Sequence, residues 1–426
     1  MSFRFIHTAD VHLDSPLRSL ALKDQGIAEL VSNATRETFV RIVDLCISEE
    51  VDALLIAGDL FDGELHSMKT AAFFSKEMRR LTNAHIKAYL LRGNHDALSK
   101  LTRHLQLPDG VFVFPGKPTS FELKENNAIL HGLSFAKPKV PDSLVPKYPA
   151  PVEGAINIGL LHTSLAGSGA HDTYSPCSLD DLETQGYDYW ALGHIHKRQI
   201  VEMASSTIVM PGIPQGRHIN EAGSKSVTLV DISDAHEVRT QEHFLAVAQF
   251  ERLGVDLSGL SEWSEMIERV KSSIAVLQHR ASAEQLITRI ELTGKTQLAP
   301  RMHRDHDLLL EEMRQIASAC GAVHCEQISV QTKRPEAATS PVGAAPDPLR
   351  ELQQIALETT TRQPLMEHEF SQLLKKLTGK LPAELRDNFD SEALMDPEAL
   401  TQIFENGLET VLARMESSND TTNGDV

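Results

Sequence analysis

The stretch Leu91-Arg-Gly-Asn-His-Asp96 decides how this chain is read. It follows the apolar run Ile86 to Leu91 and sets an amide oxygen (Asn94) beside an imidazole (His95), on a turn opened by Gly93. Gly and Asn are ordinary turn residues, so Gly-Asn-His-Asp alone carries little weight. Four further clusters supply the weight. Asp10-Val-His12 and Gly58-Asp59 lie upstream, His162 and Gly193-His194-Ile-His196 downstream, each directly after a run that reads as a buried strand. Together they offer two carboxylates, one amide and four imidazoles, enough oxygen and nitrogen for two divalent metals, with His95 left over for proton transfer.

Outward from these clusters the pattern is strand, site, helix. Phe3 to Thr8 reads as a first strand ending at Asp10-x-His12, whose side chains point the same way if that segment is extended. Phe39, Ile42, Val43 and Cys46 put helical spacing on Thr35 to Ser48, and Ala71, Phe74, Met78 and Leu81 put it on Ser67 to Leu81. Val51 to Ala57 is a continuous apolar run that delivers Gly58-Asp59-Leu-Phe-Asp62. Shorter strands follow at Val111–Phe114 and Ala128–Leu133, then buried strands at Ile156–Leu161 and Tyr187–Leu192 and closing strands near Thr207–Met210 and Val227–Asp231. This rhythm belongs to an α/β layered domain with ligands at the carboxyl ends of strands.

The first domain is read as residues 1–243. From Phe244 a β-α-β-α-β run (Gln249–Val255, Ser261–Gln278, Gln285–Leu292, Asp305–Cys320, Val323–Val330) lacks metal-type motifs and reads as a smaller α/β domain over 244–333. The Pro- and Ala-rich segment 334–348 reads as a linker. Residues 349–416 form a helical tail with two apolar stripes: Met366, Phe370, Leu373, Leu374 and Leu377, then Leu400, Ile403, Phe404, Leu408, Val411 and Met415. The end, 417–426, reads as disordered.

Composition narrows the setting. The 426 residues are 41% hydrophobic and 23% charged, with no apolar run of membrane-spanning length. The start goes directly into a strand without a signal peptide's regions, and the four cysteines form no Cys-x-x-Cys pair, which together suggest a reduced, cytoplasmic protein. A net charge of −18 argues at first sight against nucleic acid. Half of it lies in residues 341–426, which hold 7 Lys/Arg against 16 Asp/Glu. DNA affinity then requires local patches, metals or a basic partner.

Each cluster has a bland account. Asp10-x-His12 alone is more often a surface pair, Asp59 alone a helix cap, and His162 alone a satisfied buried histidine. His194-x-His196 is stronger, and five strand-end clusters in one chain are stronger still. Arg217 and His218 are either phosphate ligands or members of a solvated loop. Asp62 and Asp96 are either orienters of histidines or plain turn residues.

In their order the five clusters resemble the calcineurin-like metallophosphoesterases, over residues 1 to about 235. Within them, His7-Thr-Ala-Asp-Val-His-Leu13, Gly58-Asp-Leu-Phe-Asp62 and Tyr187-Asp-Tyr-Trp-Ala-Leu-Gly-His-Ile-His196 look like the SbcD branch of DNA repair exonucleases. His12-Leu-Asp-Ser-Pro16 and Pro214-Gln-Gly-Arg-His218 are most similar to its YhaO-type members. The resemblance implies a four-layer αββα sandwich, a smaller α/β capping domain and a helical tail that docks an SbcC-like coiled-coil ABC-type ATPase. It implies one metal on Asp10, His12, Asp59 and His196, and a second on Asp59, Asn94, His162 and His194, with Asp59 bridging. Mn²⁺ suits these ligands, with Fe²⁺ and Zn²⁺ as alternatives. His95 is then the general acid, helped by Asp96. The expected activity is cleavage of DNA, at duplex ends or in single strands, by a monomer or homodimer away from membranes. The competing readings are an esterase for a small substrate, such as a cyclic nucleotide or phosphoprotein, and a mainly structural subunit of an ATPase complex.

Overall fold

A computed structural model describes residues 2–15, 24–62, 67–98, 107–165, 174–335, 352, 355, 363–380 and 396–420. From the N-terminus come β1 (Phe3–Thr8), α1 (Gln25–Ser48), β2 (Ala53–Ala57), α2 (Met68–Asn83), β3 (Lys87–Leu91) and β4 (Val111–Val113). Next are β5 (Thr119–Leu123), β6 (Ala128–Gly132), β7 (Ile156–His162), α3 (Leu179–Thr184), β8 (Tyr189–Gly193), β9 (Gln199–Glu202) and β10 (Thr207–Met210). The strands β11 (Ser226–Ile232) and β12 (Val238–Phe244) complete two six-stranded sheets.

One sheet has the order β12-β11-β1-β2-β3-β4, the other β5-β6-β7-β8-β10-β9. In the first, β1 to β4 run parallel; in the second, β6, β7, β8 and β10 do. Parallel strands covered on both faces read as unbroken apolar runs, and every residue of β2, β7 and β8 is buried. The sheets face one another across Phe3, Phe5, Leu55, Tyr89, Leu130, Ile158, Leu160, Tyr189 and Val230. On its outer face the first sheet is covered by α1 and α2, through Phe39, Ile42, Val43, Phe74, Met78 and Leu81. On the outer face of the second sheet Leu182 of α3, Tyr148 and Leu144 pack with Tyr187 and Trp190. This is the helix–sheet–sheet–helix layering that the sequence implies.

Several bounds differ from the sequence reading. The first helix begins at Gln25, ten residues before Thr35, because Asp24 caps it by accepting from the Ile27 amide at 3.0 Å. Ile27, Ala28, Val31 and Ala34 continue its buried face. The strands β5, β9 and β12 escape the sequence pattern. In β9 and β12 no residue is buried, so no apolar alternation marks them.

The described residues fall into two compact units, Met1–Glu251 with Ala281–Ile287, and Arg252–Arg280 with Thr288–Val426. After β12 the chain forms β13 (Ala248–Asp256), α4 (Trp263–Arg280), β14 (Gln285–Lys295), α5 (Ala299–Arg304), α6 (His306–Ala319), β15 (Val323–Lys333), α7 (Gln363–Lys380) and α8 (Pro397–Asp420). The three-stranded sheet is ordered β13-β14-β15. Buried faces of α4 (Met266, Val270, Ile274) and α6 (Leu309, Met313, Ile316) give these helices their core side. In the second unit α8 packs along α5 and β15, buries Leu400, Leu412 and Ala413, and pairs Glu405 with Lys333 at 2.7 Å. Part of the tail's apolar stripe is thus spent within the unit, and the helix continues to Asp420, past the expected end at 416. Residues 336–348 of the expected linker, the Met366 side chain and residues 421–426 lie outside the described residues. Among the described residues no helix is long and apolar enough to cross a membrane.

Candidate metal centre

The loops after β1 and β2 run alongside each other, the amides of Asp10, His12 and Leu13 donating to the carbonyls of Gly58 (3.0 Å), Asp59 (3.1 Å) and Leu60 (2.9 Å). This ladder is not extended chain. Asp10 (φ 52°), His12 (φ 46°), Asp59 (φ 49°) and His194 (φ 104°) all take positive φ, which costs a non-glycine residue about 1–3 kcal/mol. The reading of Asp10 and His12 as neighbours on an extended strand is therefore corrected: they converge through a strained turn. Gly93 and Gly193 are required by close approach. A Cβ at Gly93 would overlap the Asp59 carboxylate and the His162 ring, and one at Gly193 would overlap the Ala57 carbonyl.

Three groups of candidate ligand atoms result, one of them His12, Asp62 and His95, and the expected ligands fall in the other two. The ligand atoms of Asp10, His12 and His196 lie within 4.8 Å of one another, and so do those of Asp59, His162 and His194. Asn94 joins the second: its Oδ1 is 3.0 Å from His162 Nε2, which is 3.2 Å from Asp59 Oδ2. The structure thus brings all seven expected ligand residues into two groups, with Asp59 in the second.

The donor set fits divalent cations on the structure's own terms. His162 Nδ1 donates to the Ala57 carbonyl at 2.9 Å, which turns Nε2 toward two oxygens. A bare lone pair facing two oxygens is repulsive, so this spot calls for a positive charge. Burial opposes protonation of His162, but the Asp59 carboxylate outweighs it and lifts the imidazole to about 9. In the first cluster His12 Nε2 and His196 Nε2 share a hydrogen bond of 3.4 Å, while among the described residues the buried atoms Asp10 Oδ1 and His12 Nδ1 have no hydrogen-bond partner. Burial, reinforced by Arg217, pushes His12 well below its usual range, so it is neutral. Buried unpaired donors and acceptors are costly, and a cation among them removes the cost. Imidazole, carboxylate and amide oxygen suit Mn²⁺, Fe²⁺ or Zn²⁺.

Beside the clusters stands His95, its side chain 41% exposed, with Nδ1 2.8 Å from Asp62 Oδ1. Burial works against its charged form, yet the hydrogen bond to Asp62 raises its pKa; burial likewise opposes ionisation of Asp62, and His95 and Ser15 hold it at about 2. Asp62, and not Asp96, is therefore the orienter of His95. Asp96 is buried and accepts from the backbone amides of Phe61 (3.0 Å), Leu60 (3.1 Å) and Gly93 (3.4 Å), tying the two ligand loops together. Burial, then repulsion from Asp59, pushes it up to about 7. The sequence reading also missed Glu221, which accepts from His196 Nδ1 at 2.8 Å and so aims Nε2 inward.

This geometry agrees with the comparisons to known proteins. The family model described as Calcineurin-like phosphoesterase matches residues 3–198, and that described as Metallophosphoesterase YhaO, middle domain, matches 250–333. The chain belongs to the calcineurin-like metallophosphoesterase family. Within it, the chain is 32% identical to the metallophosphoesterase YhaO of Bacillus subtilis over 285 residues, covering 65% of this chain and 69% of that one. It is 28% identical to the DNA double-strand break repair protein Mre11 of Sulfurisphaera tokodaii (54% and 60% covered). The SbcD component of the nuclease SbcCD of Bacillus subtilis is 24% identical (57% and 70% covered).

Proposed function

We propose that this chain is a two-metal phosphodiesterase that cleaves DNA ends, with Mn²⁺ as its metal and a coiled-coil ABC-type ATPase as its partner. The observation that carries the reading is the pairing of two largely buried ligand clusters with a half-open histidine, His95, held by Asp62. Asp10, His12 and His196 would hold one ion, and Asp59, His162, His194 and Asn94 would hold the other. When bound, such a pair supplies Lewis acidity toward phosphoryl oxygens and acidifies water. His95 does the remaining work. Asp62 engages Nδ1 and favours the protonated ring, so the opposite edge delivers a proton to the departing sugar oxygen. Asp96 holds the loops of Leu60 and Gly93 in register and takes no part in proton transfer.

DNA as substrate is supported by the Mre11 and SbcCD relatives, and an ATPase partner by apolar side chains left exposed on α7 and α8: Leu373 (57%), Leu377 (55%), Val411 (50%) and Met415 (44%). The test is incubation of the purified chain and Mn²⁺ with end-labelled duplex and single-stranded DNA, beside a chromogenic phosphodiester. Shortening of the labelled DNA supports the nuclease. Hydrolysis of the small ester alone overturns it in favour of a small-substrate esterase, the reading that the charge of −18 favours.

A further inference from the structure

Arg217 and Glu221 reach the site from a loop that carries none of the metal-binding motifs. That loop is pinned at its base. Gln215 is buried; its Oε1 accepts from Thr38 Oγ1 (3.2 Å) and from the amides of Val247 (3.0 Å) and Ala248 (3.2 Å). Ile219 packs with Ile27, Val31 and Phe250. A loop held this way presents side chains in fixed places.

Their side chains are 12% and 5% exposed, so the pair is an almost buried ion pair. Glu221 Oε2 accepts from the Arg217 backbone amide at 2.7 Å and from Nε at 3.4 Å, and Oε1 accepts from Nη2 at 2.9 Å. The same Oε1 accepts from His196 Nδ1 at 2.8 Å and lies 3.5 Å from His218 Nε2. The other edge of the guanidinium faces the opposite side of the site. Nη1 is 3.4 Å from Ser15 Oγ and 3.6 Å from Asp62 Oδ2, and Ser15 Oγ donates to that same Oδ2 at 2.5 Å. Asp62 in turn engages His95. One unbroken path therefore runs His196–Glu221–Arg217–Asp62–His95.

An arginine that binds a substrate phosphate keeps its fork open toward the cleft. Here Nε and Nη2 are turned into Glu221 and Nη1 toward Asp62, so the fork is occupied by the protein's own carboxylates. We propose that Glu221 and Arg217 are positioning residues: Glu221 fixes the tautomer and aim of the metal ligand His196, and Arg217 braces that carboxylate against Asp62, which aims His95. This deepens the two-metal reading and rests on it. The two halves of the brace separate in experiment. Loss of Glu221 acts on metal binding, because a carboxylate behind a ligating imidazole governs affinity. Loss of Arg217 acts on turnover, because it frees Asp62 and leaves His196 its carboxylate.

The experiment compares wild type, Glu221→Gln, Arg217→Met and Arg217→Lys in the full chain, by Mn²⁺ titration calorimetry and by kinetics on bis(p-nitrophenyl) phosphate at saturating Mn²⁺. For Glu221→Gln the expected result is one site weakened by about 10- to 100-fold and the other unchanged. For Arg217→Met both sites stay within about threefold of wild type while kcat falls by up to ~10²-fold at unchanged KM. Arg217→Lys, which keeps the charge, recovers part of that kcat. A raised KM with normal kcat in Arg217→Met overturns the brace in favour of phosphate binding. Loss of both metal sites together with a lowered Tm in either variant overturns it in favour of a merely structural ion pair. Wild-type affinity at both sites in Glu221→Gln overturns the brace alone, since the titration needs no DNA. A wild-type chain that binds no Mn²⁺ overturns the two-metal reading and the brace with it.

Discussion

The two ligand clusters are built from the same residue types and solve opposite problems. Asp59, His162 and Asn94 already satisfy one another: a proton on His162, favoured up to about 9 once Asp59 has outweighed burial, stands where a cation belongs. Asp10, His12 and His196 are tied together less completely. There one hydrogen bond of 3.4 Å joins the two imidazoles, and among the described residues the buried atoms Asp10 Oδ1 and His12 Nδ1 have no hydrogen-bond partner. The difference teaches that a binuclear site need not load its two ions alike. On the two-metal proposal, one ion would have to displace a proton, and the other would enter a place where burial keeps His12 unprotonated.

The largest effect is expected where the clusters meet. Asp59→Ala should reduce hydrolysis to the blank and lower bound Mn²⁺, measured by metal analysis after dialysis, because the second cluster loses its carboxylate and the first loses the shared oxygen. Normal turnover at full metal content would remove Asp59 from the account. His95→Gln should spare both clusters. Bound metal stays at the wild-type level while kcat falls by ~10²–10⁴-fold, the worth of a general acid. Loss of metal in that variant would place His95 among the ligands.

The third prediction sharpens the contrast directly. His162 has a raised pKa, so below about 9 it holds a proton that an entering ion must expel. Affinity at that site should therefore fall about tenfold for each unit of pH lowered from 9 to 7, while the site with His12 falls less steeply. Calorimetric titrations at several pH values read the slopes, and equal slopes would erase the distinction. The smallest effect belongs to Asp62→Asn. Burial opposes the charged form of His95, and its raised pKa comes from the hydrogen bond it donates to Asp62. As an acid it must be protonated, so activity fades as pH climbs through that pKa. Removing the carboxylate lowers the pKa and moves the alkaline limb of the kcat profile to lower pH. A limb that stays in place would assign it to another group.

How much of this was legible in the sequence follows from which forces leave local marks. Strands buried on both faces are mostly apolar, so β2, β7 and β8 show as runs, and the polar residues at or just past their ends stand out as Asp59, His162 and His194. The stripe Ala71, Phe74, Met78, Leu81 marks α2 for the same reason. Edge strands leave no such mark: β9 and β12 bury no residue fully, and their backbone pairing sets their place. Positive φ at Asp10 and His12 was equally silent, because it goes with long-range hydrogen bonds to the Gly58 and Asp59 carbonyls. Asp62 and Asp96 looked interchangeable as acidic turn residues. What separates them is whether an imidazole or three backbone amides lie within reach, a tertiary fact. Glu221 is one glutamate among many until the fold sets it behind His196.

The central claim is that these clusters hold two ions close enough to share Asp59. Electron paramagnetic resonance of the purified chain titrated with Mn²⁺ at pH 9 tests it most directly. The account predicts two Mn²⁺ per chain and the exchange-coupled spectrum of a pair that shares a ligand. A single equivalent, or two ions that give only the six-line spectrum of isolated Mn²⁺, would contradict it.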